Sequence, residues 1–190
     1  MYFFMKRLSD LLIVLFASFL LAIPMLVLSI LIFFTSTGST IYWSERVGQF
    51  NRRFNMPKFR SMRESAPVVA THLLKNPDMY LTPIGSFLRK SSLDELPQLW
   101  SVLKGDMSIV GPRPALFNQD NLISLRKERE IDKLKPGITG WAQVNGRDEL
   151  SISDKIAFDE EYLNKQSFWF DMKILWMTLL KATKVNQVSH

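Results

Sequence analysis

Residues 11–34 read LLIVLFASFLLAIPMLVLSILIFF, 24 consecutive positions without a charge. How this run meets a membrane decides what kind of fold the chain has. At about 1.5 Å per residue, a helix of that length reaches roughly 36 Å, enough for a bilayer core of about 30 Å. It is too long for the apolar core of a secretory signal, about 7–15 residues, and the TSTGST that follows is a poor cleavage site. Charge opposes a straight crossing. Lys6 and Arg7 precede the run, and residues 44–63 behind it hold six basic residues against one acid. Short basic flanks stay cytoplasmic, so a crossing would force one of them outward. Pro24, near the centre, removes a backbone donor and bends a helix. The pattern predicts a re-entrant helix that breaks at Pro24 and returns to the face it entered, with Ser18 or Ser29 serving the freed carbonyls.

Outside this run the composition is that of an ordinary soluble domain. Residues 1–38 therefore read as the membrane helix and residues 39–190 as one cytoplasmic domain. The fold class is α+β, mostly helical, with amphipathic interfacial helices on a small membrane-associated domain. Strands are predicted at 40–43, 56–60 and around 107–110. Helices are predicted over 64–75, 84–90, from about 94, and over 121–134, 153–164 and 168–184, with Ser153 as a cap. The last of these, with Trp169, Trp176, Lys173 and Lys181, reads equally as an interfacial helix or a core helix with snorkelling lysines. The chain has no cysteine and two histidines, which excludes disulfides, thiol chemistry and histidine-rich metal sites. His72 reads as a solvated side chain. The basic patch suits anionic membrane lipid or a phosphorylated ligand, and no zinc-finger or glycine-rich RNA signature makes nucleic acid a partner.

Chemistry enters with SSLDELPQLW, residues 91–100, which places Asp94 beside Glu95 between Arg89-Lys90 and Arg113. Ser91-x-x-Asp94 and Ser92-x-x-Glu95 both fit a capping box, so helix capping and catalysis explain the pair equally well. Leu96, Leu99, Trp100 and Leu103 then fall on one face. In GPRP, residues 111–114, two prolines restrict the backbone around Arg113. A pre-organised guanidinium suits bidentate phosphate or carboxylate recognition, the alternative being a stiff surface turn. KPGITGWAQVNGR, residues 135–147, reads as a tight glycine-permitted loop presenting Gln143, Asn145 and Arg147. The charged stretch 121–134 and the trio Asp159, Glu160 and Glu161 read as solvated faces without chemistry.

KFRSM, RKSSLDELPQLW, LKGDMSIVGPRP and KPGITGWAQVNGR, in that order behind one hydrophobic segment, resemble the bacterial sugar transferase family, in particular its small monotopic phosphoglycosyl transferases. The resemblance implies transfer of a sugar 1-phosphate from a UDP-sugar to polyprenyl (undecaprenyl) phosphate, with release of UMP. This would be the first membrane step of bacterial glycoconjugate synthesis, on the cytoplasmic face of the inner membrane. It implies that Asp94 and Glu95 are catalytic, that Mg²⁺ is required, and that the membrane helix is re-entrant. A homodimer is left open. Two positions depart from the family pattern: Ile23 precedes Pro24 where small members often carry serine, and Ser101 stands where asparagine is frequent.

A carboxylate that attacks phosphorus splits one hard transfer into two steps, and Asp94 at a helix N-terminus would stay ionised to do so. Glu95, with Asp94, would hold Mg²⁺, the diphosphate completing the shell. Lys58, Arg60, Arg89, Arg113 and Arg147 would bind the donor with Gln143 and Asn145. A ternary-complex mechanism is the alternative route. A non-catalytic lipid-binding protein would explain the apolar run and the basic patch, but not the acids. A glycoside hydrolase needs carboxyls on opposed sides of a sugar, which adjacent residues do not provide.

Overall fold

In the computed structural model, which describes residues 2–69, 74, 76–146 and 149–183, the uncharged run forms most of α1 (Tyr2–Thr35). This is 34 residues of helix with Pro24 inside it. The helix carries through Pro24, since one missing backbone donor costs a single hydrogen bond in a long apolar helix. Ser29 Oγ donates to the Met25 carbonyl (2.8 Å), one turn beyond the Leu20 carbonyl that Pro24 leaves without its helical donor.

Behind α1, β1 (Ile41–Val47) and β2 (Arg53–Phe59) form an antiparallel hairpin in register from Ile41 opposite Phe59 to Val47 opposite Arg53. Both strands are longer than the sequence predicts. Next come α2 (Gly85–Lys90), a 3-10 helix at Leu93–Gln98, and α3 (Leu99–Lys104). Strand β3 (Ser108–Val110) leads into GPRP, after which β4 (Ala115–Leu116) pairs with the free edge of β1. The chain continues with α4 (Asp120–Glu128), β5 (Gly137–Thr139), α5 (Trp141–Asn145), α6 (Ile152–Lys165) and α7 (Phe168–Thr183).

The loop predicted over 135–147 is therefore a strand and a short helix. β5 lies parallel to β3, with Ser108 opposite Gly137 and Val110 opposite Thr139. Gly111 N donates to Thr139 O, and Gly137 N to Pro112 O, both at 2.9 Å. A Cβ on Gly137 would run into the Gly111 backbone, so glycine here serves close strand approach rather than a turn. A three-residue strand is too short to show a period. Three smaller predictions also change. Ser151, not Ser153, caps α6 by accepting from Asp154 N at 3.1 Å. Trp100 is 58% exposed and leaves the apolar face assigned to it. Residues 64–69 form turns and bends instead of helix, while residues 70–73 and 75, His72 included, lie outside the described residues.

Both halves of α1 pack on this one domain. Val14 joins the main core with Met56, Val102, Met107, Val110, Tyr162 and Ile174, whereas Leu28 and Ile32 pack on Phe59 and Leu88. Polar contacts fasten the N-terminal half. Lys6 Nζ pairs with Asp171 at 2.8 Å, and Arg7 donates to the Val102 and Leu103 carbonyls at the end of α3 (2.7 and 2.9 Å). Buried Asp10 accepts from Ser108 Oγ (2.8 Å) and Ile109 N (3.1 Å). Lys6 and Arg7, which the sequence presents as a membrane-flanking pair, are thus bound inside the protein. The outer face of α1 stays bare, with Phe19 80% and Ile23 74% exposed.

Candidate active site

The acidic pair does not cap a helix. No side chain caps the 3-10 helix, and Ser92 sits at its start in the left-handed region (φ 57°). Ser91 Oγ turns back to the Phe87 and Leu88 carbonyls (2.7 and 3.2 Å), closing α2. The acids are instead carried inward, Asp94 to 8% exposure. Pro97 is accommodated because α3 begins only at Leu99, so the predicted helix from 94 is two elements rather than one.

Glu95 is the hub. Its Oε1 accepts from Lys58 Nζ on β2 and from Arg113 Nη2 on the GPRP loop, both at 2.9 Å. Burial alone would push the Glu95 carboxyl up, but Arg113 and Lys58 together pull it well below its ordinary value. Burial also lowers the Lys58 ammonium, against the pull of Glu95. Asp94 is treated oppositely. Burial raises its carboxyl, the Glu95 charge adds to the rise, and Lys58 opposes it. Two adjacent acids in one site therefore have their affinities for protons pushed apart, the mark of groups with different tasks.

The remaining predicted site residues divide. Arg89 donates to Met62 Sδ (3.1 Å) and its charge reaches Asp94. Arg60 turns to the start of β1, donating from Nε to the Ser39 carbonyl and pairing with Glu64 at 3.3 Å. Asn145 Nδ2 bonds the Trp141 carbonyl of its own helix (2.8 Å). The Gln143 amide is buried against Gly140 with no hydrogen-bond partner among the described residues. Arg147 lies outside the described residues.

Two residues read as solvated belong here. Arg126 on α4 donates from Nε and Nη2 to Asp159 Oδ2 on α6 (3.1 and 2.7 Å) and from Nη1 to the Arg113 carbonyl (2.8 Å). The sequence did carry a signal for Asp159, which stands midway between Ile156 and Tyr162 on the buried stripe of α6.

As a metal site the acidic pair suits Mg²⁺, which takes one or two carboxylates and completes its shell with substrate phosphates. No group of three or more His, Cys, Asp or Glu side chains placed to hold a metal ion occurs among the described residues, so a diphosphate would have to supply several ligands.

Comparison with known proteins places these residues in context. The model of the bacterial sugar transferase family matches residues 1–185. The chain is 39% identical over 173 residues to the sugar transferase EpsL of Bacillus subtilis, covering 85% of this chain and 84% of that one. It is 39% identical over 194 residues to the UDP-galactose-lipid carrier transferase of Erwinia amylovora (93% of this chain, 40% of the relative). It is also 39% identical over 195 residues to the UDP-glucose:undecaprenyl-phosphate glucose-1-phosphate transferase of Escherichia coli (98% and 41%). The chain thus spans about two fifths of the length of the last two.

Proposed function

Because the chain belongs to the bacterial sugar transferase family, we propose that it transfers a sugar 1-phosphate from a UDP-sugar to undecaprenyl phosphate and releases UMP. The observation that carries this reading is the buried Asp94 beside a Glu95 held ionised by Lys58 and Arg113. In the first step an Asp94 carboxylate oxygen attacks the phosphorus that bears the sugar. The bond from that phosphorus to the bridging oxygen breaks, and UMP leaves with its electrons. In the second step an oxygen of the acceptor phosphate attacks the acyl-phosphate, and Asp94 is released. No protein base is required, because the acceptor is already an anion. Lys58, Arg89 and Arg113 neutralise the phosphates. Mg²⁺, held by Glu95 and Asp94, would supply charge neutralisation on the diphosphate and relieve repulsion between the two acids.

Wild-type protein given labelled UDP-sugar without acceptor is expected to retain label on Asp94. Kinetics that demand both substrates before UMP leaves, with no adduct, would establish a ternary complex instead. Arg113→Lys keeps the charge but loses the planar fork, so donor use should weaken by about 1–3 kcal/mol in kcat/KM. An unchanged donor dependence would return GPRP to the status of a stiff turn.

For topology, the contacts of α1 support a re-entrant position on the cytoplasmic face of the bacterial inner membrane. Positions 15–27 contain no buried residue; as helix they span about 20 Å, less than the roughly 30 Å of a bilayer core. A domain on one face of the membrane touches α1 on both sides of that interval. On α7, Trp169 (79% exposed), Trp176 (64%) and Leu179 lie bare with exposed Lys173, which suits an interfacial helix. The chain lacks cysteine, so Phe4→Cys and Thr37→Cys can be labelled singly. Both should react only with reagent reaching the cytoplasm, and external labelling of either one alone would establish a spanning helix.

A further inference from the structure

Three successive carbonyls of the GPRP loop each receive a donor from a different part of the fold. Pro112 O accepts from Gly137 N (2.9 Å), Arg113 O from Arg126 Nη1 (2.8 Å), and Pro114 O from Arg46 Nη1 (3.3 Å). Only the middle bond acts on the residue that carries the guanidinium. Pro114 confines Arg113 to extended backbone, yet that region is broad, and the direction in which the side chain leaves still depends on how the following peptide plane is turned. A donor held in place at that carbonyl removes this freedom. Arg126 is held in place by two bonds to one oxygen of Asp159, a carboxylate whose side chain is 1% exposed against 12% for Arg126.

We propose that Arg126 and Asp159 are positioning residues, which aim the Arg113 guanidinium at Glu95 and so at the donor diphosphate. The proposal rests on the phosphoglycosyl transfer reading above. Neither side chain has to touch substrate. An ion pair that merely joined α4 to α6 would not need its third nitrogen on the loop; here Nη1 reaches past Asp159 to the backbone of the active-site arginine. The geometry uses three of the five donors of a guanidinium fork, one on each nitrogen, and a lysine ammonium could not reach both acceptors with the same directions.

A double-mutant cycle on the full chain in lipid nanodiscs separates positioning from packing, with UMP release from a UDP-sugar panel as the assay and thermal unfolding measured in parallel. Arg126→Lys keeps the buried charge, and is expected to lower donor kcat/KM on the order of 10–100-fold. In an Arg113→Ala background, where no guanidinium remains to be aimed, the same change should cost less than about twofold, while its effect on melting temperature is the same in both backgrounds. Asp159→Asn, nearly the same size and leaving the Arg126 bond to the loop possible, is a second probe should Arg126→Lys fold poorly; its smaller loss should also vanish in Arg113→Ala. Equal losses of kcat/KM in both backgrounds, or wild-type kcat/KM in Arg126→Lys, would overturn the positioning role. A wild-type protein that releases no UMP across the panel overturns the functional reading, and this one with it.

Discussion

Asp94→Asn is expected to abolish turnover, by on the order of 10⁴-fold or more, and at the same time to raise the melting temperature. The two effects share one cause. The Asp94 carboxyl is buried, and burial together with the Glu95 charge raises it above its ordinary value in spite of Lys58. A group whose folded-state affinity for protons exceeds that of the unfolded chain loses folding stability as pH rises. The loss begins as pH passes the ordinary aspartate value and is complete above the raised folded value. Asparagine has nearly the same shape and no charge, so its advantage should open across that interval and disappear in more acid solution, where both proteins are neutral at this position. Melts of wild type and variant in EDTA over a pH series, with UMP release as the activity control, test this. A variant that melts lower at neutral pH would show that Asp94 is stabilised by its surroundings.

Glu95→Gln should do the opposite to stability while also removing most activity. Glu95 is the shared anion of Lys58 and Arg113, each 2.9 Å from the same oxygen. Removing its charge leaves two cations facing each other in a largely enclosed site, which should cost about 3 kcal/mol. The sign follows from the lowered carboxyl. Stability from Glu95 is present above the ordinary glutamate value and is lost as pH falls through the depressed folded value. The difference between wild type and Glu95→Gln should therefore be full at neutral pH, begin to shrink as pH falls past the ordinary glutamate value, and be lost below the depressed folded value. Lys58→Met in the Glu95→Gln background should recover part of the melting temperature, because it removes an unpaired charge, and should recover no turnover. Denaturant unfolding of the three proteins decides this, and a Glu95→Gln protein as stable as wild type would mean that the clamp contributes nothing. Neighbouring acids with opposite effects on stability would be hard to reconcile with a shared capping role.

Much of this protein is legible before any fold is known. The 24-residue uncharged run identifies a long apolar helix compatible with a membrane anchor, since length and hydropathy are local quantities that survive any tertiary arrangement. The order of the four motifs identifies the family, and Lys58, Asp94, Glu95 and Arg113 do meet at one site. What the tertiary structure decided is the set of long-range partners. Lys6 and Arg7 look like flanking charges in sequence, but their partners Asp171 and Val102 lie 165 and 95 positions away. Ser91 fits a cap by spacing, yet turns back into the preceding helix because Ser92 takes a left-handed conformation that no period reveals. Arg60 stands two residues from Lys58 on the same side of a strand in the one-dimensional pattern, and the end of β2 carries it to Ser39 and Glu64 instead. Arg126 and Asp159 sit on helices whose charge content predicts solvated faces; 33 positions separate them, and only the packing of α4 on α6 brings the guanidinium to both Asp159 and the Arg113 backbone. Periodicity reports which face of an element is apolar, whereas the pairing of buried charges depends on which elements are neighbours in space, and that information is distributed over the whole chain.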